Sequence, residues 1–148
     1  MHFKLFLLLL LVFTFSCKKE SKLVVKYHKS HEENRQNVPF SDAVQVGNTY
    51  FLTGQIGKNH KTGKLVDYSI ELQTKQAILN IEDVLKQHNL TLDNVVKCTV
   101  ILANINDFSK MNNIYRKYFT NNLPARTTFA ASLVADAKIE IEVVAVKQ

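Results

Sequence analysis

The chain has 148 residues, 46% of them apolar, with four Gly, two Pro, two Cys and a net charge of +6. That is about one domain's worth of chain, with enough apolar content for an ordinary packed core. It excludes a disordered chain, a fibrous repeat, a disulfide-dense scaffold and a multi-domain or polytopic membrane architecture.

The first sixteen residues stand apart, holding four of the nine Phe. Met1 to Lys4 is a positive head, and Leu5 to Phe15 is apolar apart from Thr14. Eleven helical residues reach only about 16 Å, roughly half a bilayer's hydrocarbon thickness. The pattern predicts a signal peptide over residues 1–16 rather than a membrane span. Cys17 directly after Ser16 extends that reading to a lipidated cysteine, although Thr14 stands where such signals usually carry Leu. The expectation is therefore an exported chain, lipid-anchored through Cys17 to a bacterial membrane and facing the periplasm or cell exterior. Residues 17–21 would form the tether and residues 22–148 the folded domain. No basic stripe with interleaved aromatics appears, so nucleic acid is not an expected partner.

Leu23 to Tyr27 reads as a short strand, and Ser30 to Asn37 as a polar connection. Ala43–Val46 and Thr49–Thr53 flank Gly47-Asn48, the signature of a hairpin. Gly57 to Gly63 is a polar loop with a second turn. The period then changes. Ile70, Ala77, Ile78, Ile81, Val84 and Leu85 recur at helical steps, predicting an amphipathic helix of about five turns ending near Asn89. Asp93 to Ala103 is apolar on both alternating faces except Lys97, which predicts a strand buried on two sides. Phe108, Met111, Tyr115 and Phe119 stripe a second helix, with Asn106 or Asp107 placed to cap it. Two final strands, roughly 127–133 and 138–146, meet at 134–137. The order is β-ββ-α-β-α-ββ, an α+β fold with both helices on one sheet face. Val144 and Val146 share the other face with Glu140 and Glu142, so that face needs a second copy to cover it.

Chemistry-bearing residues are few. The five His are scattered and offer no metal set. Gly54-Gln55-Ile56-Gly57 lacks the helix and Lys of a phosphate loop. Cys98, mid-strand among apolar neighbours, reads as a core thiol. Arg126 follows Pro124-Ala125 at a strand mouth, where its planar fork suits a carboxylate; the spacing alone favours a surface or ion-paired Arg. Glu140 lies between Ile139 and Ile141, surroundings that would raise its pKa towards an acid–base range, while Glu142 beside it suits a solvated face. Asn112 lies on or beside the apolar stripe of the second helix, a place more often held by a satisfied interface Asn than by a ligand-binding one.

Pro39-Phe40-Ser41-Asp42-Ala43-Val44 with Thr53-Gly54-Gln55-Ile56-Gly57 resembles the opening motif of the reactive-intermediate deaminase (Rid, YjgF-type) family. Asn94-Val95-Val96-Lys97, Asn106-Asp107-Phe108 and Met111-Asn112 resemble its middle. Pro124-Ala125-Arg126 with Ile139-Glu140-Ile141-Glu142 resembles its C-terminal signature. The resemblance implies a chorismate-mutase-like barrel assembled as a homotrimer, with sites in the clefts between subunits. It implies cofactor-free hydrolysis of small 2-imino acids to 2-oxo acids and ammonia, as by a 2-iminobutanoate/2-iminopropanoate deaminase. On this pattern Arg126 binds the carboxylate, Glu140 holds the attacking water and Thr128 supplies a backbone carbonyl. Phe40 forms the pocket wall, Thr53 a hydroxyl, Gly54 a backbone N–H and Asn112 a further pocket contact. Two departures stand out: the stretch between Arg126 and Glu140 is one residue short, and Leu133-Val134 replaces a customary Leu-Pro. A turn that absorbs the shortening would spare both side chains. The competing expectation is a non-catalytic, lipid-anchored trimer that holds a small carboxylate. Ribonuclease activity ranks third.

Overall fold

The computed structural model describes residues 23–148, so the expected signal peptide and the expected Cys17 tether lie outside the described residues. The sheet strands are β1 (Val25–His28), β2 (Ala43–Val46), β3 (Thr49–Ile56), β6 (Val95–Leu102), β7 (Ala125–Ala130) and β8 (Ile139–Val146). A small hairpin, β4 (Lys58–Asn59) and β5 (Lys64–Leu65), precedes helix α1 (Ile70–Lys86), and α2 (Phe108–Tyr118) joins β6 to β7. The sheet order is β1-β2-β3-β8-β6-β7, antiparallel except for the β6–β7 pair that α2 connects. This is the predicted α+β order. Its one addition is the β4–β5 hairpin inside the expected polar loop, where the Asn59 side chain accepts from the N–H groups of Lys61 and Thr62 and Gly63 takes φ +69°.

Helix α1 forms for the reasons its sequence supplies. The Ser69 hydroxyl accepts from Leu72 N–H to cap its start, and Asn89 just beyond its end takes φ +56°. Its stripe of Ile70, Ala77, Ile78, Ile81, Val84 and Leu85 is buried, joined by the unpredicted polar Gln73, Thr74 and Asn80. On α2, Met111, Tyr115 and Phe119 are buried, while Phe108 is 38% exposed at the rim. Neither Asn106 nor Asp107 caps α2 with its side chain. The chain instead enters through a 3-10 turn, Ile105–Asp107, where Asn104 accepts from Asn106 N–H.

Strand β6 departs from expectation. Val95, Cys98, Val100 and Leu102 are buried under the helices, whereas Val96 is 48% exposed and Thr99 and Ile101 are half-buried on the other face. Strand β8 divides the same way, with Ile139, Ile141, Val143 and Ala145 buried and Glu140, Glu142, Val144 and Val146 opposite. Two helices cover one face of a six-stranded sheet and leave the second bare in the single chain. Both strands around the final turn start later or end sooner than read from sequence. The turn itself holds Ala135 and Asp136 at φ +56° and +54°. Arg126 and Glu140 both lie in regular strand, on either side of this turn.

Candidate active site

Strand β3 carries one extra residue against β8, because Leu52 pairs with Val143 and Gln55 with Ile141. The bulge at Thr53-Gly54 shifts the strand's inward phase from Tyr50 and Leu52 to Gln55, and turns Thr53 and Gly54 towards the uncovered face. Glu140 of β8 pairs with Ile56 just past that bulge, and its side chain reaches back to Gly54. A Cβ on Gly54 would overlap the Glu140 carboxyl, with Cδ only 2.8 Å away. Gly54 is thus the residue that lets a carboxyl rest against the backbone. Phe40, Thr53, Gly54, Val134 and Glu140 wall a cavity of about 460 Å³, together with Arg35 and His60. Partial burial raises the Glu140 pKa above the ordinary glutamate value, and neighbouring Glu142 adds to it.

The Arg35–His60 side of this cavity is held by polar contacts. Arg35 donates to the His60 ring Nε2 and, at 2.8 Å, to the buried Asp42 carboxylate; Asn34 donates to the His60 carbonyl. Burial, then the adjacent Arg35 cation, lowers the His60 pKa to about 4, so its ring is neutral at pH 7. Gln73 ties α1 to the start of β8 by accepting from Lys138 N–H at 2.8 Å.

Arg126 is elsewhere. It pairs with Cys98 in the β6–β7 register and therefore projects to the helix-covered face, whereas Glu140 pairs with Ile101 and projects to the bare one. Three residues along and two strands across put the two Cα atoms about 14 Å apart, before the opposed directions are counted. Arg126 lines a separate recess of about 470 Å³ with Asn112, Tyr115, Phe119 and Pro124. Its guanidinium carbon stands 4.6 Å over the Tyr115 ring and 5.7 Å over that of Phe108. Thr128 follows two residues along on the same face, opposite Val100, in the edge strand β7.

The predicted residues thus divide into two groups: Phe40, Thr53, Gly54 and Glu140 in one cavity, Asn112 and Arg126 in the other with Thr128 beside them on β7. Sequence reading missed Arg35, Asp42, His60 and Gln73. The first three meet only through loops without periodicity. Gln73 was legible as a polar residue one turn after Ile70 within the apolar stripe. Burial pushes the Cys98 thiol up to about 11, in keeping with a core thiol. Among the described residues the fold also gathers His31, Glu32 and Asp83, with His31 Nε2 2.9 Å from Asp83 Oδ2. That contact docks the loop after β1 onto α1.

A family model described as Endoribonuclease L-PSP matches residues 32–147. The chain belongs to this family. A human relative, 2-iminobutanoate/2-iminopropanoate deaminase, is 44% identical over 110 residues, spanning 74% of this chain and 80% of that protein. Reactive Intermediate Deaminase A, chloroplastic, of Arabidopsis thaliana is 44% identical over 108 residues, 72% of this chain and 58% of that protein. The Rid family protein YyfA from Yersinia pestis superposes with a TM-score of 0.78 at 36% identity, covering 84% of this chain and 100% of that one. These relatives also correct the expected location. The curated relatives of this chain include mammalian, plant and archaeal proteins, one named for the chloroplast and none of these named as exported or lipid-anchored. The exported, membrane-anchored placement is overturned, while the expected lipidation of Cys17 lies outside the described residues. A short apolar run followed by Cys is a compositional pattern with few constraints, and Thr14 already broke it. The lipid-tethered binding protein loses the location that motivated it.

Proposed function

We propose that this Rid-family chain hydrolyses 2-iminobutanoate, 2-iminopropanoate and similar small 2-imino acids to 2-oxo acids and ammonia, without a cofactor. The observation that carries the reading is the Glu140 carboxyl, half-desolvated against Gly54 in a cavity sized for a small acid. Arg126, with no carboxylate partner among the described residues, supplies the complementary anchor. Arg126 grips the substrate carboxylate, and Glu140 accepts a proton as its bound water adds to C2 of the imine. Glu140 hands that proton to the nitrogen of the tetrahedral adduct, the adduct's hydroxyl proton follows it to the same nitrogen, and the C–N bond breaks so that ammonia leaves as the C=O forms. Holding water and imine together provides much of the acceleration. The Thr128 carbonyl and the Gly54 N–H would orient the water and the substrate oxygens.

The two groups cannot reach one small substrate within a single chain. The reading therefore includes a homotrimer in which the Arg126 recess of one subunit closes over the Glu140 cavity of the next. Covering the bare sheet face supplies the apolar driving force, since Phe51, Val96 and Phe129 are each nearly half exposed there.

An amino-acid oxidase generating 2-iminobutanoate, with semicarbazide trapping the imine that survives, tests the reaction. The protein should lower the trapped yield. Arg126→Ala should lose about 2–5 kcal/mol of transition-state binding. A trapped yield equal to the protein-free control overturns the reading.

A further inference from the structure

Arg126 is held in an unusual way for a charged side chain. Among the described residues no carboxylate pairs with it and no hydrogen bond is made by its guanidinium, so its donors are uncommitted. What touches it is aromatic: the Tyr115 face at 4.6 Å and the Phe108 face at 5.7 Å. Both rings come from α2, seven residues apart and therefore on one side of the helix.

Tyr115 is itself fixed on two sides. Its hydroxyl donates to Cys98 Sγ at 3.1 Å, on the β6 residue directly opposite Arg126. Its ring stacks on Phe119 at 4.3 Å with 20° between planes. Burial and the Cys98 contact hold its phenol protonated, so the cation lies over a neutral ring rather than beside a phenolate. A guanidinium held over a ring face rather than by an acceptor keeps its N–H donors unspent. An acidic partner would orient an Arg just as firmly, but would occupy those donors and cancel its charge.

We infer that Tyr115, with Phe108 in support, is the positioning residue that presents the Arg126 fork edge-on to the substrate carboxylate. This rests on the hydrolase reading for the identity of the ligand, and adds to it the device that keeps the anchor both ordered and free. Asn112, one turn before Tyr115 on α2, lines the same recess. The chemistry favoured there is a planar carboxylate with a small neighbouring polar group, as in a 2-oxo or 2-imino acid.

The test pairs steady-state kinetics with calorimetric binding of 2-oxobutanoate, which carries the carboxylate but no imine. Tyr115→Leu should weaken 2-oxobutanoate binding and raise KM by roughly 5–20-fold, while kcat changes less. Tyr115→Phe keeps the face, loses only the Cys98 contact, and should recover affinity to within about threefold. Phe108→Leu, at the exposed rim, removes the outer ring at little packing cost and should weaken binding by about 2–5-fold. It keeps the test open if Tyr115→Leu does not assemble. Wild-type-like 2-oxobutanoate binding in both Leu variants overturns the inference, even if the wild-type protein hydrolyses imines. Weakened binding in the Leu variants alongside an inactive wild type would instead support the inference and remove the hydrolase reading.

Discussion

Two neighbours set the surroundings of Glu140, and both favour its protonated form. Gly54 gives its carboxyl room against the backbone, and Glu142 on the same strand face repels its charge. To receive a proton from water the carboxyl must be ionised, so activity should fall as pH drops through its raised pKa. Because the folded chain holds this proton more tightly than the unfolded one, its stabilising contribution lies at low pH and is lost as pH rises through that pKa. Glu142→Gln removes the repulsion and leaves the burial. The acid limb of the kcat/KM profile should therefore move to lower pH, and the difference between variant and wild type should shrink in high salt. An unmoved limb would show that Glu142 is electrostatically silent. Glu140 and Arg126 were both legible as polar residues in apolar strand surroundings, and the family resemblance gave them roles. Their opposed faces were not legible, because side-chain parity cannot be counted across a turn of unknown geometry.

At the level of elements, burial on a single face made α1 readable, and the same rule explains what escaped. The bulge in β3 sits in Thr53-Gly54-Gln55-Ile56, where alternation passes equally for an unbroken strand; only the pairing with β8 exposes the extra residue. The β4–β5 hairpin is two residues per strand, too short to leave a period. The turn between β7 and β8 could be located from sequence but not its conformation. Two consecutive non-glycine residues there, Ala135 and Asp136, occupy the left-handed region, which costs an L-residue about 1–2 kcal/mol. Ala135→Gly relieves that cost but enlarges the freedom of the unfolded chain, which returns about 0.4–1 kcal/mol. The net should be a gain of roughly 0.5 kcal/mol, seen as a Tm rise of a degree or more. A lower Tm would mean that the Ala135 methyl group makes packing contacts worth more than the strain. The neighbouring Val134 lines the Glu140 cavity, so kinetics of this variant would also report whether the turn holds the cavity wall in place.

For the whole molecule, the division of the proposed site across two sheet faces makes a stricter demand than the exposed apolar surface does. Any second copy could cover Phe51 and Val96, but the proposed site demands that each Arg126 recess meet a Glu140 cavity from a neighbour, which the ring of a cyclic trimer provides. Closed heterologous contacts of this kind have a direct consequence for mixed assemblies. Suppose Arg126→Ala and Glu140→Gln subunits are each inactive alone. In any trimer containing both types, one cleft joins an intact Arg126 to an intact Glu140. Random assembly from an equal mixture leaves about a quarter of all clefts whole in a cyclic trimer. Co-expressed or co-refolded variants should therefore recover roughly a quarter of wild-type turnover, while separately assembled trimers mixed afterwards recover none until subunits exchange. If each chain instead built a complete site, every cleft in the mixed trimer would lack one group. Recovery would then be absent at any ratio, so the same two proteins decide between a shared and a private site.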